Sequence, residues 1–575
     1  MFTVGDKKIS IISLLLVFLA ILSLASTIFK PGIMSGYDTA THVINARLLS
    51  DALAEGQFPV RWTEWAWNGT SLPLFNFYQV GFYYLVAVIH LLVPSILTSV
   101  KLMVLLSWWG GAGLMFLLCR RFGTIPAALS ALIYAFTPYL FTNIFIKATY
   151  PELLAMTFFI GFLWALDRLL VSGKSFYRLP LSLFLAALAI SHLPTLIISI
   201  PLAIGYYLLL LGNHEIRMKS LWSLVFGLLL GLGMAAFYVL PAIIELPLVK
   251  FSNLTSEYYD FHLHFVYPQQ LLATRWGYGL SIPGPNDQLS FQFGLIQWAI
   301  ISLSVLLICI RSFNKYQIPN TKYQILRPHL IFWLMAIVYA VFFMHQVSLT
   351  FWENLKFIAI IQYPFRFLMV VTWSSAILSA ILLSLVTKKW IQGLIVIISI
   401  LAVFICYHSY LAPEQFWPAS YFNIDSPAWK QSAGVAQKAI LEKGYLPASV
   451  NEATDKKTKL SRWEIIDGQG QIAGKVIKNH QLILTVKANM PMTLRINTHY
   501  FPGWKVYVDN REVTINYSNQ FGFMSFKVAV GSHEIRAQFT NTPIRTLADI
   551  ITVVSFFGMI IRFLEPLFRK LRPLH

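Results

Sequence analysis

The stretch Pro73-Leu74-Phe75-Asn76-Phe77-Tyr78-Gln79-Val80-Gly81-Phe82-Tyr83-Tyr84-Leu85-Val86-Ala87-Val88-Ile89-His90-Leu91-Leu92-Val93 decides how the rest of the chain is threaded. By length and apolarity it can cross a bilayer, which takes about 20 residues. Its composition argues otherwise. Phe75, Phe77, Tyr78, Phe82, Tyr83 and Tyr84 crowd it, and Asn76 and Gln79 interrupt it. Aromatic-rich amphipathic helices lie at headgroup depth. The basic residues give an independent test. If the stretch spans, Arg120-Arg121, Lys174 and Arg178 fall outside; if it lies in the interface, they fall inside. The second choice puts about 19 basic residues in short inner segments and about 8 in longer outer ones, the asymmetry of the positive-inside rule. The inner clusters are then Lys7-Lys8, Arg120-Arg121, Arg168/Lys174/Arg178, Arg217/Lys219, Arg311/Lys315/Lys322/Arg327, Lys388-Lys389 and Arg562/Arg569/Lys570/Arg572.

Around this stretch the chain reads as membrane throughout. Its 575 residues are 57% hydrophobic and only 12% charged, which excludes a soluble globular protein. The net charge of +19 would suggest nucleic acid in a soluble chain; here it reflects basic inner loops facing anionic lipid, and no nucleic-acid partner is expected. Cys119, Cys309 and Cys406 all sit inside apolar runs and make no metal or disulfide framework. The first apolar run, Ile9–Phe29, lacks a small-x-small cleavage site and is read as a retained helix. Eleven further spans are predicted at Leu97–Leu118, Ile125–Ile146, Leu153–Val171, Leu179–Ile190, Leu193–Leu211, Leu221–Ile243, Phe291–Ile310, Leu330–Phe343, Phe367–Val386, Ile391–Tyr410 and Leu547–Ile561. The fold class is thus a polytopic α-helical membrane protein of about 12 spans plus interfacial helices. Both termini are expected in the cytoplasm, the protein lying in the plasma membrane. Three regions follow: a membrane module over 1–411 with outer loops at 30–95, 147–152, 245–290 and 346–366, a soluble region over 412–545, and a last span with a basic tail over 546–575.

The ionisable groups of this apolar chain gather on its outer face. Asp38 and His42 stand four residues apart where the first span ends, on one side of a helix starting at Thr39. Asp38 is either a helix cap or a general base at the mouth of a cavity. An amphipathic helix over Asn45–Gly56 follows, then Arg61 and Trp62 beside Trp65 and Trp67, which suit either a lipid phosphate or an aromatic belt. Lys147 and Glu152 flank the next turn, His192 the one after, and Arg366 opens a later span. An ionised group at hydrocarbon depth costs about 2.5–3.5 kcal/mol, so such groups turn toward a shared polar cavity. Arg366 reads as a phosphate ligand or as a snorkelling interfacial arginine. His262 and His264 reach a common metal only from an extended segment, and no ligand spacing is strong; no metal site is assigned, and a divalent ion is possible without being favoured.

Beyond Ser420 the sequence turns soluble. A helix is predicted over Ser426–Gly444, then strands at Gln481–Val486, Met492–Ile496, Trp504–Val508, Phe523–Val530 and Glu534–Phe539, with turns at Asp509-Asn510 and Gly531-Ser532. These predict an extracytoplasmic antiparallel β-sandwich held by membrane helices on both sides.

Gly36-Tyr37-Asp38 with His42, Gly56-x-Phe58-Pro59-x-Arg61-Trp62, Phe75-x-Phe77-Tyr78, Ser191-His192-Leu193-Pro194, Tyr363-Pro364-x-Arg366-Phe367 and Tyr500-Phe501-Pro502-Gly503-Trp504 occur in that order. In this the chain resembles the bacterial YfhO-like and 6-pyruvoyl-tetrahydropterin-synthase-related membrane proteins of the GT-C glycosyltransferase superfamily. The resemblance implies an extracytoplasmic transferase that takes a sugar from a polyprenyl-phosphate donor. Its acceptor would be a cell-envelope glycan, lipid or protein, and membrane lipids would surround it. The superfamily's first-loop acid corresponds to Asp38 and its second-loop acid to Glu152. A paired-acid metal motif is replaced by Tyr37-Asp38-Thr39, which favours a metal-independent reaction. In this reading Asp38, Glu152 and His42 are catalytic, with Asp38 the base of an inverting transfer. Arg61, Trp62, His192, Arg366, Lys147 and Tyr78 bind substrate. Two other classes fit the same chain: a lipid or polysaccharide transporter, and a non-catalytic envelope-assembly protein. Paired broken helices would favour transport, and none is legible in the sequence.

Overall fold

The computed structural model describes residues 15, 17–23, 25–64, 71–213, 216–250, 257–272, 276–313, 321–422, 444–451 and 461–571. Residues 9–14, 16 and 24 of the first predicted span, Trp65, Trp67, Arg275 and nearly all of the helix predicted over 426–444 lie outside the described residues.

Among the described residues, seven helices are long and apolar enough to cross a membrane: Ile96–Phe122, Tyr150–Ser172, Leu193–Gly212, Lys322–Met344, Pro364–Ser384, Lys389–Tyr410 and Pro543–Arg562. Together with the β-strands that precede the last of them, they make the chain a polytopic membrane protein with a C-terminal β unit. The predicted spans at Leu179–Ile190 and Phe291–Ile310 appear as the shorter apolar helices Ser175–Ser191 and Leu295–Ile310. The deciding stretch folds as two short helices, Leu74–Phe77 and Gly81–His90. The longer one rises about 15 Å, half a hydrocarbon core. It docks inward: Val80 N donates to Ile190 O at 3.1 Å, and a Cβ at Gly81 would stand 2.4 Å from Ser191 Oγ.

Two predicted spans are broken, which the apolar pattern did not reveal. Thr124–Ala135 and Pro138–Ile146 meet at 45°, and Met218–Met234 and Ala236–Ile244 at 68°. Proline explains the first bend. Thr137, before Pro138, takes extended geometry (φ −83°, ψ 136°), as a residue ahead of proline prefers. Beyond the second bend Pro241 has no N–H for the Phe237 carbonyl, which instead accepts from Arg61 Nη1 at 3.0 Å. The helix predicted over Asn45–Gly56 changes only in its extent. The helix begins earlier, at Thr39, and its first two turns are buried, while over the predicted stretch Arg47 and Asp51 pair on an exposed face and Ala46, Leu48, Leu49 and Ala52 pack inward.

The β unit is two antiparallel sheets. The larger runs in the spatial order Arg511–Val513, Trp504–Val508, Gly531–Phe539, Gln481–Ala488, Gly470–Lys478, and the smaller Phe523–Val528, Met492–His499, Trp463–Asp467. Alternate residues Leu482, Leu484 and Val486 face inward, the period-2 pattern of a strand with one buried face. The sheets meet directly, since Gly474 of one lies against the Trp463 ring of the other. Asp509 and Asn510 carry φ of 50° and 64° and form the tight hairpin turn that their sequence signals. The turn predicted at Gly531-Ser532 is instead the start of a strand. Trp463–Asp467, Gly470–Lys478 and Arg511–Val513 are strands the sequence reading did not mark.

Aromatic and ionic contacts fix this unit to the bundle. The Trp62 ring lies 5.3 Å from Trp504 and 4.9 Å from Phe539, and Phe77 lies 6.0 Å from Phe501. Beneath them Glu245 accepts from Arg545 Nε at 3.0 Å, Thr542 Oγ1 at 2.7 Å and Asn76 Nδ2 at 2.6 Å. Arg61 Nη2 donates to Asp549 at 2.7 Å. Each charge taken out of water here meets an opposite one, which buried ions require.

Candidate functional site

Four segments distant in sequence meet at one end of the bundle: the Ser35–His42 turn, the Lys147–Glu152 turn, the His192 corner and the Gln362–Phe367 turn. Their backbones fit closely. Tyr37 N donates to Ile146 O at 3.0 Å and Asp38 N to Lys147 O at 3.1 Å. Met34 pairs with Phe416 in a short antiparallel ladder, and Tyr37 Oη donates to Tyr278 O at 2.7 Å. Gly36 allows the approach. A Cβ there would meet Ala148 Cβ at 2.7 Å and Ile146 O at 3.0 Å. Gly36→Ala is therefore expected to push the Asp38 turn off its seat at a cost of about 1–3 kcal/mol. A lowered unfolding midpoint with reduced substrate binding would bear this out; an unchanged midpoint would count against it.

The centre of the site is Glu152, in the first turn of the helix Tyr150–Ser172 and 0% exposed. Its Oε1 accepts from Tyr139 Oη at 2.5 Å and Asn143 Nδ2 at 3.1 Å, and its Oε2 from Arg366 Nε at 3.2 Å. Lys147 Nζ lies 3.7 Å from Oε1 and donates to Tyr139 Oη at 3.3 Å. Both carboxylate oxygens are thus engaged from within the protein, and the acid holds two cations in place. Lys147 also sits over the rings of Tyr139 and Phe365, at 4.7 and 5.0 Å. Burial pushes its ammonium down to about 8, against the opposing pull of Glu152 and Asp38.

Arg366 is 8% exposed and follows a strained turn. Gln362 has φ 65° and ψ −46°, and Tyr363 N donates to Ile361 O at 2.7 Å across it, a γ-turn of the rarely adopted hand. The same Ile361 carbonyl accepts from Arg366 Nη1 at 2.5 Å, while Nη2 makes no hydrogen bond among the described residues. Ala148, beside Lys147, also has positive φ, at 56°. Such outliers persist where the surroundings over-determine the backbone, and they gather at functional sites.

Asp38 differs from Glu152. It occupies the N-cap position of the helix Thr39–Ala54 but makes no capping hydrogen bond. No described residue donates to its carboxylate, which is half-buried. Lys147 and the phenols of Tyr78, Tyr83, Tyr150, Tyr258 and Tyr363 lie within its electrostatic reach. The cap reading accounts for its backbone and leaves its side chain without a structural task.

The other expected residues divide into two groups. His42 is buried, with Nδ1 2.6 Å from Tyr83 Oη, and its ring lies 5.3 Å from that of Tyr150. His192 caps the helix Leu193–Asn213: Thr195 N donates to its Nδ1 at 3.3 Å, which puts the neutral ring's proton on Nε2. It stands within electrostatic reach of Arg366, Glu152 and Lys147. Tyr78 stacks on Tyr83 at 6.0 Å. Arg61 and Trp62, however, are not part of this cluster. Arg61 is 3% exposed and committed to Asp549, Asn76 and the Phe237 carbonyl, and Trp62 is covered by the β unit. Both belong to the junction between bundle and sheets, a network that the reading of single motifs could not assemble. Sequence reasoning also passed over Tyr139 and Asn143. With Lys147 they recur every fourth residue in an otherwise apolar segment, which places them on one helical face and is the signal that would have found them. Among the described residues no group of three His, Cys, Asp or Glu side chains converges as a metal site.

A family model described as the 6-pyruvoyl-tetrahydropterin synthase related domain of membrane proteins matches residues 75–412. No curated protein matches the sequence. Among solved structures, ArnT from Cupriavidus metallidurans bound to undecaprenyl phosphate is similar at 13% identity over 66% of this chain and 77% of that chain. Its TM-score of 0.29 is too low for the likeness to carry an argument about the site.

Proposed function

The chain belongs to the family of membrane proteins defined by the 6-pyruvoyl-tetrahydropterin synthase related domain, and from that premise we propose that it is a GT-C-type glycosyltransferase of the plasma membrane. It moves a sugar from a polyprenyl-phosphate carrier to a hydroxyl of an envelope acceptor on the extracytoplasmic side. One observation supports the reading: Asp38, a half-buried carboxylate to which no described residue donates a hydrogen bond, stands within electrostatic reach of Lys147, which with Arg366 is fixed by the buried counter-acid Glu152.

The chemistry needs those parts. The bond between sugar C1 and the phosphate oxygen breaks, and the phosphate departs with the electron pair. That developing charge calls for fixed positive groups more than for a proton. Lys147 Nζ and Arg366 Nη2 supply them. The acceptor oxygen attacks C1 from the opposite face, inverting it, and Asp38 takes the acceptor proton. Glu152 has no oxygen to spare for substrate, so its role is to position the cations. His192 and His42 orient groups at the rim. No step requires a metal.

Membranes carrying the protein test this with a labelled polyprenyl-phosphate sugar, with and without chelator. Transfer of label to envelope material, lost in an Asp38→Asn protein that still inserts, supports the enzyme reading. Undiminished transfer by Asp38→Asn sinks the base assignment. Inhibition by chelator sinks the metal-free mechanism.

The depressed proton affinity of Lys147 adds a pH signature. The active form is the ammonium, so transfer falls as pH rises through about 8, where an ordinary lysine would remain charged to above 10. Lys147→Arg is expected to flatten that limb. An alkaline limb unchanged in the variant would show that another group titrates.

The two broken spans favour a second reading, transport of a lipid-linked sugar, because discontinuous helices often line transport sites. At the second break the freed backbone groups are taken by Arg61 and Thr552, which leaves less for a cargo. Movement of label across sealed vesicles without transfer would favour transport.

A further inference from the structure

The opposite end of the bundle carries a second site. The helix Tyr150–Ser172 separates it from Glu152 by about 30 Å. There the helices Arg178–Ser191, Met218–Met234 and Pro543–Leu571 enclose a cavity of about 110 Å³, lined in part by Ser175, Phe176, Arg178, Ser182, Met559 and Arg562. Two guanidinium groups from segments nearly four hundred residues apart approach one ring. Arg178 Cζ lies 5.3 Å and Arg562 Cζ 5.7 Å from the centre of Phe226. Arg178 also begins its helix, whose positive dipole end adds to the same potential. Arg178 and Arg562 are the two charged residues of the lining, and Lys174 lies four residues before the first of them.

We propose that this cavity holds the phosphodiester of an anionic phospholipid. Arginine is the residue whose fork matches phosphate oxygens. The seam's outer surface favours a lipid over a free ion. Leu229, Phe557 and Ile561, from the two helices flanking the cavity, are 62%, 57% and 65% exposed and offer acyl chains an apolar track. Basic pockets between spanning helices are where acidic headgroups bind.

Native mass spectrometry of the purified full-length protein tests the site with phosphatidylglycerol, phosphatidylcholine and inorganic phosphate as probes. The wild type is expected to retain phosphatidylglycerol roughly tenfold better than phosphatidylcholine. Arg178→Ala with Arg562→Ala is expected to abolish that preference, while Lys389→Ala, at a basic position away from the cavity, keeps it. Inorganic phosphate is expected not to displace the lipid. Equal retention of the two lipids by the wild type, displacement by phosphate, or an undiminished preference in the double variant would each overturn the proposal. Photocrosslinking of the wild type with an activatable phosphatidylglycerol gives a reading independent of how the variants fold. Label is expected within 175–182 and 554–562, and label spread evenly over the spans would overturn the site.

Discussion

Asp38→Asn is expected to lower sugar transfer by about 10²–10⁴-fold, the usual contribution of a general base, while the unfolding midpoint stays where it is. The two halves of this expectation rest on different observations. The catalytic half rests on the position of the carboxylate, whose peptide N–H is bonded to the Lys147 carbonyl and whose oxygens are taken by no described residue. An amide there cannot accept the acceptor's proton. The stability half rests on the absence of hydrogen bonds to lose, and on asparagine being as good an N-cap as aspartate. The proper readout is therefore kcat, with KM for the donor little changed, since the phosphate is held by other groups. A variant equally slow but with a collapsed midpoint would mean that Asp38 serves the fold. A variant as fast as wild type would remove it from the chemistry.

How much of this was legible in the sequence depended on whether the signal was local. Pro73–Val93 was readable as a non-spanning segment because its aromatic content and the surrounding arginines point the same way, and its ten-residue helix agrees. The strands at Gln481–Val486 and Trp504–Val508 were readable from alternation, and the Asp509-Asn510 turn from its residue types. The bends before Pro138 and at Ala235 were not inferred, because apolar runs hide breaks that neighbouring side chains repair. The sequence predicts a shared polar cavity for Asp38, His42, Glu152 and His192; the bonding of Glu152 to Lys147 and Arg366 was not legible, because it also involves Tyr139 and Asn143, whose spacing was overlooked. Arg61 and Trp62 were misplaced for a physical reason. An arginine beside tryptophan looks the same in sequence whether it meets a phosphate or an aspartate more than four hundred residues on.

Glu152→Gln is expected to destabilise the protein by about 3–5 kcal/mol, because removing one partner of a buried pair leaves the other charge uncompensated. Here two charges are left, Lys147 and Arg366, in a place where the acid itself is fully buried. The amide is nearly isosteric, so packing is kept and the loss is electrostatic. Its NH2 group also turns a donor toward a donor at either Arg366 Nε or Asn143 Nδ2. Lysine gives the change a recognisable pH dependence. In the wild type the folded-state value of about 8 lies below the ordinary lysine range, so the unfolded chain binds the extra proton between the two, and stability from this group rises with pH across that window. Without Glu152 the pull that holds the proton on Lys147 is gone, and the window extends to lower pH. The midpoint of Glu152→Gln, followed by tryptophan fluorescence in detergent, should therefore recover on going from pH 7 to 8 more than that of the wild type. Arg366→Gln in the same chain should restore part of the loss, so that the double variant is more stable than the sum of the singles allows. Additive losses would mean that Glu152 and Arg366 are stabilised independently, and an unchanged midpoint in Glu152→Gln would mean that the cations are held by something other than this carboxylate.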